Sequence, residues 1–236
     1  IKNGKCYINE KLEYKDIAVK DAKILKIGEN LGHAKEIYDA KDQFVLPGCI
    51  DTQTHFREPG STDTEDLHSG SRAAIAGGIT AVFEMPNTNP PTSNIKEFQR
   101  KLGLAKNRMY CNYAFYFGAT ADNANQLAKL NDLEGCCGIK LFAGSSTGNL
   151  LVADEKDIDK VFQNSSKVVA VHSEDEEILN KNKKLIKNGD VHSHPVWRSE
   201  EAAMSSTRRI VRIAERYNKK AHVLLSLIHI SEPTRR

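Results

Sequence analysis

The stretch Asp51-Thr52-Gln53-Thr54-His55-Phe56-Arg57-Glu58-Pro59-Gly60 decides how this chain is read. Pro47-Gly48 punctuates the chain just before it, and residues 49–55 read as a strand. Alternate side chains of a strand share a face, so Gln53 and His55 point the same way and Arg57 follows at the lip. Downstream the pattern is strand, loop, helix. Candidate strands are 49–55, 79–85, 109–117, 138–142, 168–172 and 221–224. Candidate helices are 65–76, 94–105, 123–130, 155–162, 174–187 and 200–217. Such alternation predicts parallel strands with crossover helices. No G-x-G-x-x-G follows a strand and no G-x-x-x-x-G-K-[ST] is present, so neither nucleotide fold is indicated. Gly144-Ser145-Ser146-Thr147-Gly148 lacks the P-loop lysine and reads as a βα loop. A (β/α)₈ TIM barrel is the better expectation than an open sheet. It needs eight strands over roughly 250 residues and carries its active site at the strand C-terminal ends. Six candidate strands are present, so the barrel is expected to be incomplete.

Upstream, residues 14–20, 23–28 and 43–46 read as short strands separated by turn residues. Three segments result: 1–47, a partial barrel over 48–224, and a different tail over 225–236. The 236 residues are 39 % hydrophobic and 28 % charged, an ordinary globular balance. A net charge of +3 without a basic block gives no reason to expect nucleic acid. No apolar run approaches the roughly 20 residues of a membrane span. The start, Ile1-Lys2-Asn3-Gly4-Lys5, has no signal-peptide core and no initiator Met, so a few residues are expected to precede it. Five cysteines without C-x-x-C spacing suggest reduced thiols, packed as apolar residues in a cytoplasmic protein.

Two further strands bring chemistry to the same end. Lys140 lies between apolar neighbours in Gly138-Ile139-Lys140-Leu141-Phe142, where a charged lysine is costly unless paired or neutralised. His172 ends the next strand, in Val171-His172-Ser173-Glu174-Asp175. Three strands thus deliver His55, Lys140 and His172 to one face.

The run from Asp51 to Thr92, with its D-x-x-x-H-x-R-x-P-G and Met85-Pro86-Asn87-Thr88 motifs, resembles dihydroorotases and their cyclic-amidohydrolase relatives, the allantoinases and hydantoinases. The similarity runs from the N-terminal strands to about Leu224. The resemblance implies a metal-dependent barrel flanked by a β-sandwich, of which residues 1–47 would supply the N-terminal portion. It implies His55 as the second His of an H-x-H metal pair and His172 as a ligand of a second metal. It implies Lys140 as a catalytic lysine carboxylated to a carbamate that bridges the metals, and Arg57 and Asn87 as holders of a substrate carboxylate. Zinc, as one or two ions, suits imidazole nitrogen and carboxylate-like oxygen. It lowers the pKa of water from 15.7 to about 7, so hydroxide is available to attack a ring amide. Burial favours the neutral amine that carbamate formation needs. The aspartate that serves the family as acid and base has no counterpart here.

The family's H-x-H reads Gln53-Thr54-His55. Glutamine offers an oxygen but binds zinc far less well than imidazole, so the site is expected to be mononuclear, differently liganded or impaired. Each residue also has a plainer reading. His55 alone is a hydrogen-bonded strand-end histidine. Lys140 is a lysine snorkelling to the barrel mouth. His172 is a helix-entry residue beside Glu174-Asp175-Glu176-Glu177. Arg57 pairs with Glu58 or Glu65, and Asn87 is a turn residue. His192-Ser193-His194 reads as a solvated loop, Trp197 and Arg198 as the start of the following helix, and His68 as structural. The tail from Leu225 resembles a translated sequencing adapter, so His229 is not counted as a ligand and the tail is expected to pack poorly.

The expected activity is dihydroorotase: hydrolysis of a cyclic amide bearing a carboxylate, interconverting dihydroorotate and N-carbamoyl-aspartate in pyrimidine biosynthesis. The alternatives are an allantoinase or hydantoinase-like enzyme, or a silent scaffold for a transcarbamoylase, which Gln53 favours and Arg57, Lys140 and His172 oppose. A homo-oligomer is a further expectation. The isolated 236-residue chain is itself expected to be inactive.

Overall fold

The computed structural model describes residues 1–145 and 149–224. The expectations about the tail 225–236 and His229 lie outside those residues. Contacts divide the chain into two units, residues 1–49 and a second unit from Ile50.

The first unit is a four-stranded sheet of order β3-β2-β1-β4. Strand β1, Gly4–Ile8, pairs antiparallel with β2, Lys11–Lys20, which pairs antiparallel with β3, Lys23–Gly28. Strand β4, Phe44–Val45, runs parallel to β1. Both hairpins close through two residues at positive φ: Asn9 and Glu10 at 48° and 65°, Asp21 and Ala22 at 51° and 59°. That backbone matches the right-handed twist of paired strands. Strand β1 goes unpredicted because the Asn9-Glu10 turn that follows it lacks the glycine that normally signals such a turn. Its Cys6 is fully buried, and its thiol donates to the Lys15 carbonyl at 3.1 Å.

The second unit is built on a six-stranded sheet of order β10-β9-β8-β7-β6-β5, parallel in each pair from β6 to β10. The strands are β5 Cys49–Thr54, β6 Ile79–Glu84, β7 Asn112–Gly118, β8 Cys136–Phe142, β9 Val169–His172 and β10 Ala221–Leu224. The helices are α1 Leu67–Ala76, α2 Ile95–Ala105, α3 Glu155–Asn164, α4 Glu176–Asn182, α5 His194–Trp197 and α6 Glu200–Arg216. Sequential order of parallel strands with intervening helices is the winding of a barrel, here curled through six of its eight strands. No described helix is long and apolar enough to cross a membrane.

Alternation along the strands sorts side chains into two layers. Val82, Phe115, Phe117, Ile139, Leu141, Val169 and Val171 face the helices and pack with Leu67, Phe98, Ile158, Phe162 and Ile213. Met85, Tyr116, Ala170 and Leu224 form the other layer, with Phe83 and Cys137 against it. Lys140, between Ile139 and Leu141, therefore turns toward this second layer, and so does His172 after Val171. Side-chain oxygens start the helices: Asp66 with Ser69 in a capping box for α1, Asn94 for α2, Asp154 for α3, Asp175 for α4 and Ser199 for α6.

Several expected bounds change. The helix expected over 123–130 is a 3-10 turn, Ala124–Asp132. Ala124, Leu127 and Leu130 are buried at intervals of three, the 3-10 period. Asn123 does not cap it, because its Oδ1 accepts from the Thr120 N–H at 2.8 Å, while its amide nitrogen donates to the Ser93 and Gly118 carbonyls, both at 2.8 Å. The helix expected over 174–187 starts after its cap Asp175 as α4 and passes at Lys183–Leu185 into a 3-10 turn. His192 and His194 are solvent-exposed as expected, but on helical turns rather than a loop: a 3-10 turn, Val191–Ser193, leads into α5. Trp197 ends α5 rather than starting α6, and Arg198 stands between the two. Cys49 is exposed, unlike the buried Cys6, Cys111 and Cys136.

Candidate active site

The loop after β5 is fixed by ion pairs other than those the sequence suggests. Glu58 is buried and pairs with Arg108, and Arg57 pairs with neither Glu58 nor Glu65 among the described residues. Glu58 Oε2 accepts from the Leu67 N–H at 2.9 Å, at the start of α1, and Arg108 grips both carboxylate oxygens at 2.7 and 3.2 Å. This is the planar fork geometry of guanidinium on carboxylate. Arg57, released from that role, forms no ion pair among the described residues. It lines a cavity of about 280 Å³ together with Ser61, Asn87, Thr88 and Asn149. Its φ is +55°, a left-handed backbone uncommon outside glycine and asparagine. Gly60, at φ +120°, lets the loop pass Asn89, whose backbone nitrogen donates to the Pro59 carbonyl at 2.9 Å.

His55 stands beside Asn87. Burial and the Arg57 charge lower its proton affinity below that of an ordinary imidazole, with a smaller contribution from Lys140, while the Asn87 amide works the other way. The Asn87 Oδ1 is buried without a well-aligned hydrogen-bond partner. Gln53, on the same strand, is half-buried.

Lys140 is 2 % exposed. Its Nζ donates to the Leu141 carbonyl at 3.2 Å and lies 3.9 Å from the centre of the Phe142 ring, with no carboxylate partner among the described residues. Burial alone pushes its pKa down to about 7. No carboxylate among the described residues offsets that burial, which weakens the hold of Lys140 on its proton. The same Phe142 ring leads to His172, with ring centres 6.1 Å apart. In β8 and β9, Lys140 is opposite Ala170 and Phe142 is opposite His172.

His172 Nε2 is 2.6 Å from Glu174 Oε2. Arg198 Nε donates to Glu174 Oε1 at 2.9 Å, and Arg198 Nη2 contacts Glu174 Oε2. Burial pushes the Glu174 carboxyl up, but hydrogen bonds from His172 and Arg198 outweigh it and hold the pKa at about 2. The acidic run does more than favour a helix start. Asp175 caps α4 and accepts from Ser205 at 2.8 Å, and Glu176 accepts from the Ser145 N–H at 2.8 Å. Gly144 allows the loop after β8 to approach, since a Cβ there would lie 2.4 Å from the Glu174 carbonyl.

Sequence reasoning misses a buried ion pair behind these residues. Glu84 on β6 and Lys101 on α2 touch, each about 1 % exposed. Glu84 Oε1 accepts from the Phe56 N–H at 3.2 Å, and Lys101 Nζ donates to the Met85 carbonyl at 3.0 Å. The pair thus holds the backbone next to His55 and two residues before Asn87. The signal for it is a lone glutamate in the apolar strand Ile79–Glu84.

The structure therefore groups His55 with Arg57 and Asn87, and Lys140 with His172 across Phe142, with Lys140 near enough to His55 to affect its charge. The 280 Å³ cavity is lined by Arg57 and Asn87 but not by the other three. Among the described residues no three His, Cys, Asp or Glu side chains converge as a metal site. By donor type alone, the side chains of His55, His172 and Lys140 are of kinds that a metal accepts. Two imidazoles and an amine free to become an anionic carbamate form a nitrogen and oxygen donor set suited to zinc.

The amidohydrolase family profile matches residues 44–231. A dihydroorotase of Methanosarcina mazei is 34 % identical over 229 residues, covering 94 % of this chain and 50 % of the relative. An allantoinase of Escherichia coli is 32 % identical over 249 residues, covering 99 % of this chain and 53 % of the relative. Among solved structures, an L-hydantoinase from Arthrobacter aurescens superimposes with a TM-score of 0.87 at 25 % identity, covering 94 % of this chain and 51 % of that one. A D-hydantoinase gives 0.82 at 26 %, covering 94 % and 50 %. The chain spans about half the length of the curated relatives it matches. With the profile covering most of its length, the chain belongs to the amidohydrolase family.

Proposed function

We propose that this chain carries the metal-binding and carboxylate-binding part of a cyclic amidohydrolase, and that its substrate is a cyclic amide bearing a carboxylate, as in dihydroorotase. The observation that carries the reading is the placement of Arg57 and Asn87 in one cavity beside His55, with Arg57 lacking an ion-pair partner among the described residues. An unpaired guanidinium in a cavity is suited to a bidentate carboxylate.

In this reading His55, Lys140 and His172 hold zinc, with Gln53 at the position of a further ligand. When bound, the metal supplies Lewis acidity toward a ring amide carbonyl and toward water. The chain's own residues prepare for it. Burial keeps part of the Lys140 population as free amine near pH 7. That amine adds carbon dioxide to give a carbamate and releases one proton. His55 stays a neutral donor because burial and Arg57 disfavour its protonation. Arg57 orients the substrate carboxylate through two N–H groups, and the Asn87 side-chain NH₂ donates to the same carboxylate. Likeness to the allantoinase and hydantoinases supports a second reading, in which the amide carries no carboxylate.

The test is a substrate profile, on a zinc-supplemented chain extended to the length of its relatives, of the wild type and its Arg57→Met variant. Under the first reading dihydroorotate is turned over, and the variant raises its KM about 10- to 100-fold, the worth of a charge-assisted hydrogen bond of roughly 1.5–3 kcal/mol. Turnover of allantoin or hydantoin alone, unaffected by Arg57→Met, selects the second reading.

A further inference from the structure

We infer that the groove between α3 and α6 is a binding site for a small organic anion, one ending in a carboxylate or phosphate group, with Arg209 as its central contact and Arg208 at its rim. The inference stands apart from the metal-site reading, since none of the residues that line this groove lines the cavity of Arg57 and Asn87.

Helix α6 turns a polar row to one flank, because Ser205, Arg209, Arg212 and Arg216 recur at intervals of three and four. Two of the row reach across to α3. Arg212 Nη2 donates to Glu155 Oε1 at 2.7 Å, and Arg216 Nη1 donates to both Asp159 oxygens at 2.9 and 2.8 Å. The flank therefore faces α3. Arg209 stands on it one turn before Arg212 and forms no ion pair among the described residues. Its Nε and Nη2 are buried without a hydrogen-bond acceptor. A buried guanidinium N–H that meets neither water nor an acceptor is costly, and folded proteins normally supply it with a partner or an ion.

The space beside Arg209 has room for such a partner. It is a cavity of about 610 Å³ between Glu155, at the start of α3, and the flank of α6 from Glu201 to Arg212. Arg208 lines it too and likewise forms no ion pair among the described residues. Of the three carboxylates on the wall, two are committed. Glu155 takes Arg212, while Asp175 takes the Ser205 hydroxyl at 2.8 Å and the first N–H groups of α4. The third, Glu201, sits in the first turn of α6, where the helix dipole already favours its charge. Two guanidinium charges thus face one carboxylate, and the balance favours an anion. The guanidinium fork binds carboxylate or phosphate oxygens in pairs. The volume exceeds that of a bare ion and lies in the range of small-molecule sites. Met204 supplies an apolar stretch of wall for the rest of the molecule.

The experiment is thermal melting and arginine-detected NMR of the 236-residue chain with inorganic phosphate or malonate, against sodium chloride of equal ionic strength. The wild-type melting temperature is expected to rise by about 3–6 °C at ten times the Kd of the tighter anion. The Arg209 ¹H–¹⁵Nε signal, assigned by its loss in Arg209→Lys, is expected to shift and saturate. Affinity is expected to fall about 10- to 100-fold in Arg209→Gln, and up to about fivefold in Arg208→Gln, whose side chain is exposed. Without anion, Arg209→Gln is expected to melt no lower than the wild type, because it removes a charge that has no partner. A response to phosphate alone assigns the ligand a phosphate group, and a response to malonate alone assigns it a carboxylate; either supports the site. A rise that chloride reproduces, or anion binding that persists in Arg209→Gln or is abolished by Arg57→Met, overturns it. So does a lower melting temperature of anion-free Arg209→Gln, since Arg209 would then already have its partner within the chain.

Discussion

Removing Lys101 isolates what the buried pair behind the site contributes. In Lys101→Met the Glu84 carboxyl keeps the Phe56 N–H at 3.2 Å as its hydrogen bond and loses its counter-charge, in a place where both side chains are about 1 % exposed. Breaking a buried pair from one side costs about 3–5 kcal/mol, because a charge is left uncompensated. Glu84 has an escape: burial already pushes its pKa up to about 7, so without Lys101 it takes a proton near neutral pH. The loss should therefore lie near the lower end, about 3 kcal/mol, against a typical domain stability of about 5–15 kcal/mol. The sign with pH follows. A carboxyl whose folded pKa is raised binds more protons folded than unfolded, between its ordinary value and the raised one. Stability then falls as pH rises through that window, by up to about 1.4 kcal/mol per unit. Urea unfolding of Lys101→Met should thus show a deficit that is larger at pH 8 than at pH 6. Glu84→Gln in the same background should recover part of it. A deficit below about 0.5 kcal/mol, or one that does not grow with pH, refutes the argument that Glu84 is buried as a charge held by Lys101.

Three further outcomes follow from the same geometry. Lys140 has a folded pKa lowered to about 7, so it binds fewer protons folded than unfolded and wild-type stability should rise between pH 7 and pH 10, by up to about 1.4 kcal/mol per unit; Lys140→Met should flatten that rise in urea unfolding. Arg108→Ala should cost about 1–2 kcal/mol, a charged hydrogen-bond value discounted because Arg108 is 38 % exposed, whereas Arg57→Ala should change the melting temperature little; the reverse order would misplace both arginines. Gln53→His, which adds an imidazole on the face of His55, should raise zinc bound per chain by metal analysis, and unchanged content would remove Gln53 from the ligand position.

Part of this is plain in the sequence because strand alternation is a short-range rule. Lys140 between Ile139 and Leu141 can turn only away from the helix-facing layer, and the motif around His55 marks a strand end by its own residues. The turn at Asn9-Glu10 is illegible because its residues adopt positive φ without the usual glycine. The 3-10 turn after Asn123 reads as a helix because Ala124, Leu127 and Leu130 suit either period over so short a run. The ion pairs are hidden for another reason. Glu58 meets Arg108 from 50 residues away, and Glu174 meets Arg198 from 24, distances at which only the assembled sheet selects a partner. The plainer reading of Arg57 as a partner of Glu58 fails for that cause: a neighbour in sequence loses to a residue brought in by α2 and β7.

The central claim is that His55, Lys140 and His172 hold one metal centre. The most direct test is a crystal structure of the protein prepared with zinc and bicarbonate, with anomalous data collected at the zinc edge. The account predicts a zinc peak bounded by His55, Lys140 and His172, with carbamate density on Lys140 Nζ. Zinc found only elsewhere, or none with Lys140 unmodified, would contradict it.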